Sequence, residues 1–278
     1  MIQEVAPHIF VETAHLGSNN TIISTDDGVI LVDAPHRPTD AVAWRGKAEQ
    51  FGEIQYLIHT DHHIDHTMGN FFLPGRVVAH SGTYDELANR FPTPEYVSAL
   101  VRVIDPAGMA HMGDFAVRLP EITFNDELEL RLGSSKLRLM FLNGHTSNTI
   151  GVLLHDEGVF ISGDTVCSAS LPAFNEANVQ HWLDSLDRIN QLDFDVLVTG
   201  HGDVKKKEEV LAFKRLVAEL IDRVTEAKAS GLTKEQAAKT IRYRDNIHVP
   251  TKDWAVAYPE HLVEGFQVNS VKRIYDQV

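Results

Sequence analysis

Cysteine is nearly absent from this sequence, in which Cys167 is the only one among 278 residues. A single cysteine cannot form an internal disulfide, so the chain does not resemble the small secreted scaffolds that depend on such bonds. A run of about 20 apolar residues, as a membrane span requires, is also missing, and the first residues contain no basic segment followed by an apolar one. We therefore expect a cytoplasmic protein without a membrane partner.

Basic residues are few relative to acidic ones: 25 Lys and Arg stand against 39 Asp and Glu, which gives a net charge of −14. Such a charge repels the phosphates of nucleic acids and the anionic surfaces of membranes. Nucleic acid is therefore excluded as a partner, and a small-molecule substrate is expected instead. A homodimer is expected only because soluble oligomers most often take that form.

Low-complexity linkers and internal repeats are absent too, which favours a single domain over residues 1–278. Within it, the segment at about 81–115 has a helical pattern interrupted by prolines. We interpret this segment as an insertion that could form one wall of a pocket. The segment at about 204–278 is mostly helical, and we interpret it as a C-terminal extension that covers the core or contacts a partner subunit.

Short apolar runs bounded by Gly, Asn or Asp predict strands. They occur at residues 9–11, 21–24, 28–33, 56–59, 122–124, 128–132, 136–142, 150–154, 159–162 and 196–199. Helical spacing of apolar residues predicts helices at 38–51, 179–192 and 204–229. Because a helix joins strands in the first part and strands cluster again in the second, we expect an α/β fold with two sheets and outer helices.

Histidine is over-represented, with 15 residues, and a group of potential metal ligands directly follows the predicted strand at 56–59. Alternate side chains of an extended segment point to one side, so Asp61, His63 and Asp65 are expected to share a face. A turn into the following helix is expected to bring His66 alongside them. Four donors so close together could coordinate more than one ion.

Three further potential ligands follow predicted strands elsewhere in the chain, namely His145, Asp164 and His201. A glycine precedes each of them, which allows the backbone to turn sharply and to aim one side chain at a site. Imidazole suits zinc, iron and similar metals, and carboxylates add oxygen ligands that can bridge two ions. The three loops together with the histidine-rich segment therefore indicate a metal site.

The order and spacing of these residues resemble the metallo-β-lactamase superfamily of binuclear metallohydrolases. The family motif His-x-His-x-Asp-His is matched by residues 61–66, with Asp61 in the first position, and the similarity extends over about residues 5–205. It implies an αββα sandwich of two mixed sheets with outer helices. By the family's assignment, the first ion is held by Asp61, His63 and His145, the second by Asp65, His66 and His201, and Asp164 bridges them.

The resemblance also implies the cofactors, two divalent metal ions, with zinc as the first expectation. Asp61 replaces a neutral nitrogen ligand by an anionic oxygen ligand, which lowers the Lewis acidity of the first ion and favours manganese or iron beside zinc. The alternative is that Asp61 does not bind metal, so that the first site is weak and a single ion is held tightly.

Metal ions of this kind lower the pKa of water toward about 7, so that hydroxide becomes the nucleophile. Asp65, at the junction of the two sites, is expected to orient that hydroxide as the catalytic residue. Asp33 ends a predicted strand at a position where such proteins often fix the tautomer of a ligand histidine. His36, Tyr84 and His111 are expected to line the pocket.

Three further residues are expected to have structural roles. His59 ends a buried strand and His62 points away from the metals, so both are interpreted as packing or hydrogen-bonding residues. Cys167 is interpreted as a small buried thiol. The lysine run at 205–207 is interpreted as solvated residues at the start of a long helix.

A fold does not by itself name a reaction. We expect hydrolysis of a small organic ester or lactone, because the hydrolytic ligand set is nearly complete and the 81–115 segment is rich in apolar and Met residues. The alternative is an iron-dependent oxidoreductase similar to a sulfur dioxygenase, for which an oxygen-rich ligand set is suitable. A non-catalytic binding protein would be expected to have lost several ligands.

Overall fold

The apolar runs of the N-terminal half form a mixed sheet of seven strands within the part of the chain that the structure, a computed structural model, describes. That part comprises residues 2–168, 171–242 and 260–278. The strands are β1 (Ile2–Ala6), β2 (Ile9–Glu12), β3 (Asn20–Thr25), β4 (Gly28–Val32), β5 (Ile54–Ile58), β6 (Arg76–His80) and β7 (Ile122–Phe124). Neighbours from β1 to β4 are antiparallel, and neighbours from β4 to β7 are parallel.

A second mixed sheet follows, with six strands among the described residues. They are β8 (Glu127–Leu132), β9 (Ser135–Phe141), β10 (Ile150–Leu154), β11 (Val159–Ile161), β12 (Val196–Val198) and β13 (Lys205–Lys206). Neighbouring strands are antiparallel except β11 and β12, which are parallel. The parallel pair is connected through a helix, as a crossover of this kind requires.

Helices lie outside both sheets. They are α1 (Pro38–Ala48), α2 (Ile64–Thr67), α3 (Ser81–Arg90), α4 (Pro94–Ile104), α5 (Val179–Asn190), α6 (Glu208–Ala229), α7 (Lys234–Thr240) and α8 (Glu260–Tyr275). Short 3₁₀ helices occupy Met68–Phe72, Pro106–His111 and Gly163–Thr165. None of the helices within the described ranges combines the length and the apolar character that a bilayer span needs.

Buried apolar residues form layers between these elements. The two sheets pack face to face through one cluster that includes Val11 and Ile58 from the first sheet and Leu139 and Val152 from the second. On the outer face of the first sheet, Trp44 of α1 packs into a separate cluster. Helices α5, α6 and α8 cover the outer face of the second sheet. This order of layers confirms the predicted αββα sandwich.

The segment interpreted as an insertion contains α3, α4 and a 3₁₀ helix. Thr93 caps α4 by accepting a hydrogen bond from the N–H of Tyr96, and Pro94 occupies the first turn, where its missing N–H costs nothing. One face of α4 packs against Met68 and Met112. This cluster attaches α4 to the edge of the molecule that carries the predicted ligands.

Two features of the fold differ from the sequence predictions. The long helix begins at Glu208, and its predicted start at residue 204 is wrong because Lys205 and Lys206 pair with β12 as β13. Strands β1 and β6 were not predicted, since a short run such as Arg76–His80 carries no periodicity that separates strand from loop. Part of the predicted C-terminal extension, including Trp254 and Tyr258, lies outside the described residues.

Candidate metal centre

Four loops that carry the predicted ligands meet at one edge of the two sheets. Residues 59–63 follow β5, and His145 lies between β9 and β10. Asp164 follows β11 and His201 follows β12. Because β11 and β12 are parallel neighbours, their carboxyl ends lie side by side, where α/β folds commonly place their ligands.

The segment after β5 turns immediately instead of continuing as a strand. Asp61 Oδ1 accepts a hydrogen bond of 2.9 Å from the backbone N–H of His63, which closes an Asx turn. Helix α2 then begins at Ile64, so Asp65 and His66 project from its first turn. The expectation that Asp61, His63 and Asp65 share one face of an extended segment is therefore wrong. A turn followed by a helix positions them.

The first group of potential ligand atoms belongs to Asp61, His63 and His145, and all three atoms lie within 4.8 Å of one another. Asp61 Oδ2 is 3.2 Å from His63 Nδ1 and 3.6 Å from His145 Nε2. The two imidazole nitrogens are themselves 3.2 Å apart. Asp61 is fully buried, and His145 is nearly so.

The second group belongs to Asp65, His66 and His201, whose ligand atoms also lie within 4.8 Å of one another. Asp65 Oδ2 is 3.3 Å from His201 Nε2 and 4.0 Å from His66 Nε2. The rings of His66 and His201 meet edge to face, with centroids 5.6 Å apart.

Asp164 lies between the two groups. Its Oδ2 atom is 3.5 Å from His145 Nε2 in the first group and 3.2 Å from His201 Nε2 in the second. Its Oδ1 atom is 3.4 Å from His66 Nε2. The structure thus brings together all seven residues that the sequence predicted as ligands, with Asp164 in contact with both groups.

Several atoms in this cluster are buried without a hydrogen bond. Within the described part of the chain, Asp61 Oδ2, His66 Nε2 and Asp164 Oδ1 have no hydrogen-bond partner. Buried polar atoms are almost always paired in folded proteins, and a cation can interact with all three. Imidazole and carboxylate donors are also the chemistry that zinc, manganese and iron accept. The residues present therefore fit two divalent ions.

The pKa values within the cluster show that its carboxylates favour positive charge beside them. Burial alone would lower the pKa of His63, but Asp61 and the other carboxylates around it raise that pKa to about 9. Burial likewise opposes protonation of His201, yet Asp164 and Asp65 raise its pKa to about 9. Burial favours the neutral acid of Asp61, but the surrounding imidazoles hold its pKa below the usual range.

Backbone and carboxylate oxygens orient two of the histidines. His66 Nδ1 donates to Asp33 Oδ2 at 2.9 Å, and Asp33 also accepts from the backbone N–H and the hydroxyl of Thr60 at 2.8 and 2.7 Å. His201 Nδ1 donates to the carbonyl oxygen of Gly17 at 2.8 Å. With Nδ1 protonated, the lone pair of Nε2 points into the cluster, which is the tautomer that a metal ligand needs. Burial raises the pKa of Asp33, although His66 opposes that shift.

Glycine is required where backbone passes close to the ligands. Gly17 has a positive φ of 92°, and a Cβ there would lie 2.9 Å from His36 Cβ and 3.0 Å from Asp65 Cβ. A Cβ on Gly200 would overlap the carboxylate of Asp164 and the backbone of Gly163. The contacts of Gly200 explain why glycine precedes the predicted ligand His201, a feature visible in the sequence.

A cavity of about 250 Å³ opens onto the two groups. Its polar side includes His36, as the sequence predicted, together with five of the predicted ligands: His63, Asp65, His145, Asp164 and His201. Tyr84 and His111, which were also predicted to line the pocket, are not among its lining residues. Tyr84 is exposed on α3, and the ring of His111 packs beside Phe72.

The other walls of the cavity come from residues whose role the sequence did not reveal. They include Tyr96 and Leu100 of α4, Val263 and Phe266 of α8, and Glu176 in the loop before α5. Their sequence signal is weak because each lies far along the chain from the ligands. Only the interruption of the helical pattern around α4 indicated a pocket wall.

The histidines expected to have structural roles do make structural contacts. His59 Nε2 is 3.1 Å from the side-chain amide of Asn70. His62 contacts Asn148 through Nδ1 and Glu176 through Nε2, at 3.0 and 3.3 Å. The hydrogen bond from His62 and the nearby charge of His63 lower the pKa of Glu176 to about 2. Glu176 is therefore an anion at the cavity rim.

Cys167 is buried beside Asp164, and burial and that carboxylate raise the pKa of its thiol well above the usual value. The protonated thiol agrees with the interpretation of Cys167 as a packing residue.

Comparison with known proteins identifies a family and several distant relatives. A family model described as the metallo-beta-lactamase superfamily matches residues 14–201. A linear primary-alkylsulfatase of a Pseudomonas species is 26% identical over 182 residues, which are 60% of this chain and 33% of that protein. A hydroxyacylglutathione hydrolase of Methylococcus capsulatus is 26% identical over 161 residues, which are 57% of this chain and 49% of that protein. The chain thus matches a third to a half of the length of these relatives.

Solved structures with the same fold are similar in shape and distant in sequence. A metallo-beta-lactamase from Pontibacter korlensis superimposes with a TM-score of 0.62 at 18% identity, covering 78% of this chain and 98% of that one. A stereoselective inverting sec-alkylsulfatase from a Pseudomonas species gives a TM-score of 0.70 at 15% identity, covering 99% of this chain and 50% of that one. At these identities the likeness concerns the fold alone.

Proposed function

Because the chain belongs to the metallo-β-lactamase superfamily, we propose that it is a metal-dependent hydrolase that cleaves a small, uncharged organic ester or lactone. One observation carries the proposal: two groups of three potential ligand atoms are joined by Asp164, and residues of both groups line one cavity. A cavity in which polar ligands face apolar walls is the usual form of a small-molecule site.

We propose that the first ion is held by Asp61, His63 and His145, the second by Asp65, His66 and His201, and that Asp164 contacts both. When bound, the ions would lower the pKa of water and polarise the scissile carbonyl. Zinc is the first choice, and the carboxylates also suit manganese or iron.

The chain's own residues would orient the reactants. Asp65 lines the cavity, and Ser18 Oγ fixes its backbone by donating to the Asp65 carbonyl oxygen at 2.8 Å. We propose that the Asp65 carboxylate accepts a hydrogen bond from the attacking water and so directs the water oxygen at the substrate carbonyl. Asp33 holds His66 in the required tautomer, and the apolar walls exclude bulk water.

The small net charge expected at the metal centre favours an uncharged substrate. Two divalent ions bring four positive charges, and the carboxylates of Asp61, Asp65 and Asp164 offset three of them. Glu176 adds a further negative charge at the rim, and none of the described lining residues is Lys or Arg. Little positive charge remains to bind a sulfate or phosphate group. An ester or lactone carbonyl needs no such charge.

The test is elemental analysis of the purified protein, combined with a panel of lactones, aryl esters, thioesters, phosphodiesters and primary alkyl sulfates. We expect about two zinc or manganese ions per chain and turnover of esters or lactones. Iron accompanied by oxygen consumption with a thiol substrate would instead favour the oxidoreductase alternative. Preferred turnover of alkyl sulfates would contradict the charge argument, and the names of the alkylsulfatase relatives make these substrates the essential control.

The Asp164→Ala variant tests whether the cluster performs the reaction. Loss of the carboxylate that contacts both groups should abolish turnover, while thermal unfolding stays cooperative because Asp164 lies at the edge of the sheets. Substantial activity in this variant would contradict the proposed mechanism. Asp156→Ala, at an exposed turn, is the matched control and should behave as the unaltered protein.

A further inference from the structure

The cavity is lined by predicted metal ligands and by several apolar residues. Besides the predicted ligands, its lining includes the apolar or aromatic residues Ile64, Tyr96, Leu100, Leu171, Val263 and Phe266. These residues come from α2, α4, the loop before α5 and α8. An ester or lactone carbonyl and its leaving oxygen need only the polar residues, which leaves the apolar lining available to another part of the substrate.

Helix α4 is apolar on two faces, although a helix on a protein surface normally has one. Val97, Val101 and Ile104 form the buried face. Tyr96, Leu100 and Val103 are spaced by four and three residues and form a second face. Tyr96 is 54% exposed and Val103 is 59% exposed. This second face starts in the cavity and continues along the surface of the helix.

Helix α8 provides the facing apolar side chain. Val263 and Phe266 lie one turn apart and both line the cavity, and Phe266 is 44% exposed. The helix itself is held in place by the fold, since Ser270 Oγ accepts a hydrogen bond from the N–H of Phe174 at 3.0 Å. Large exposed apolar side chains on two anchored helices therefore border the same opening.

From this arrangement we propose that the substrate carries an unbranched hydrocarbon chain, which lies between α4 and α8 against Tyr96, Leu100 and Phe266 while its ester or lactone group reaches the ligand groups. The inference rests on the proposed function for the reactive end of the substrate. An uncharged chain suits the apolar wall, and the carboxylate of Glu176, whose side chain lines the cavity and is 52% exposed, disfavours a chain that ends in a carboxylate. The aromatic rings of Tyr96 and Phe266 provide large contact areas for methylene groups.

The first experiment measures kcat/KM for 4-nitrophenyl esters of unbranched acids from acetate to octanoate, below the concentrations at which they form micelles. Burying a methylene group contributes up to about a fourfold gain, so we expect kcat/KM to rise steadily with chain length. In Phe266→Ala and Leu100→Ser, the ratio of kcat/KM for octanoate to that for acetate should fall at least about tenfold. Leu211→Ala is the matched control, because Leu211 is a similarly exposed apolar residue on α6 outside the cavity.

A second measurement needs no turnover. Titration calorimetry of the metal-containing protein with n-butanol, n-hexanol and n-octanol should show affinity that increases with chain length and that Phe266→Ala reduces. If alkanols bind in this way but no ester is cleaved, the hydrocarbon site stands and the proposed function fails. If esters are cleaved without any dependence on chain length and octanol binds no better than butanol, the proposed function stands and the hydrocarbon site is overturned.

Discussion

Asp61 stands where the superfamily motif has a histidine, and it is fully buried between His63 and His145. A buried carboxylate whose Oδ2 atom has no hydrogen bond is costly unless a cation lies beside it. The same residue gives the first group its negative charge. The choice between one bound ion and two therefore depends on this single side chain.

The Asp61→Ala variant is expected to lose the first ion and keep the second. The reason is that only His63 and His145 would remain in the first group besides Asp164, whereas the second group is unchanged. Metal content by mass spectrometry should fall from about two ions per chain to about one, and turnover should be lost. Two tightly held ions in the variant would mean that Asp61 is not a ligand. Asp156→Ala again serves as the exposed control.

Asp33 affects the candidate metal centre through its hydrogen bond with His66. It has a positive φ of 58°, a conformation that Asn adopts as readily as Asp, so Asp33→Asn should fold. The substitution removes the charge that accepts the proton of His66 Nδ1. We expect metal affinity to fall about 10- to 100-fold, with a smaller loss of kcat once metal is saturating. Titration with competing chelators measures this affinity, and an unchanged value would exclude the positioning role.

At the scale of secondary-structure elements, the ends of β5, β11 and β12 determine how closely the ligand loops approach each other. Asn19, in the loop between β2 and β3, binds the loop after β12, since its N–H donates to Gly200 O at 2.7 Å and its side-chain amide donates to Thr199 O at 2.8 Å. The loop that contains Gly17 is thereby fixed against the loop after β12. The loop after β12 also lies against the loop after β11, where Gly163 and Asp164 leave no space for a side chain at Gly200.

The Gly200→Ala variant is expected to lose at least about tenfold in kcat/KM. The added Cβ displaces Asp164, and small displacements of a catalytic group have large effects on rate. Gly46→Ala on α1 is the matched control, because nothing lies within 4 Å of the added Cβ and alanine is the better helix former. The control should keep its activity and gain up to about 1 kcal/mol of stability. Normal activity in Gly200→Ala would contradict the described approach of the two loops.

At the scale of the whole molecule, folding stability and the proposed metal binding both depend on the protonation of His63 and His201. In the absence of metal, the pKa values of His63 and His201 are about 9, above the ordinary value of about 6.5 for an unfolded chain. Groups with a raised folded-state pKa contribute stability that is fully present below the unfolded value and is lost as the pH rises through the folded value. The stabilisation by these two histidines is therefore lost between about pH 6.5 and about pH 9.

The chelator-treated protein is accordingly expected to show a melting temperature that falls from about pH 6.5 to about pH 9. Metal should bind more tightly over the same range, because the ion displaces the protons of His63 and His201. Calorimetry in buffers of different ionisation enthalpy should detect proton release on metal uptake at pH 7. A metal affinity independent of pH in this range would show that these histidines are not ligands.

The fold class followed from the sequence alone, and so did the set of seven predicted ligands that the structure brings together. Apolar runs and turn residues are local signals, and they located most strands to within two residues, including 122–124 and 150–154. The seven predicted ligands were recognisable because the family motif and the His or Asp positions that follow a glycine lie within short segments of the sequence. The single-domain organisation stays a prediction, and so does the homodimer, which ultracentrifugation can test.

The tertiary structure alone decided which residues surround the ligands. Tyr96, Glu176 and Phe266 are far apart in the chain, and no local pattern indicates that they share a cavity. Tyr84 and His111 were predicted to line the cavity and do not. The conformation of residues 61–63 was likewise decided by the Asx turn of Asp61 and not by strand alternation. Local sequence specifies the chemistry of a side chain, but its neighbours depend on long-range packing between sheets and helices.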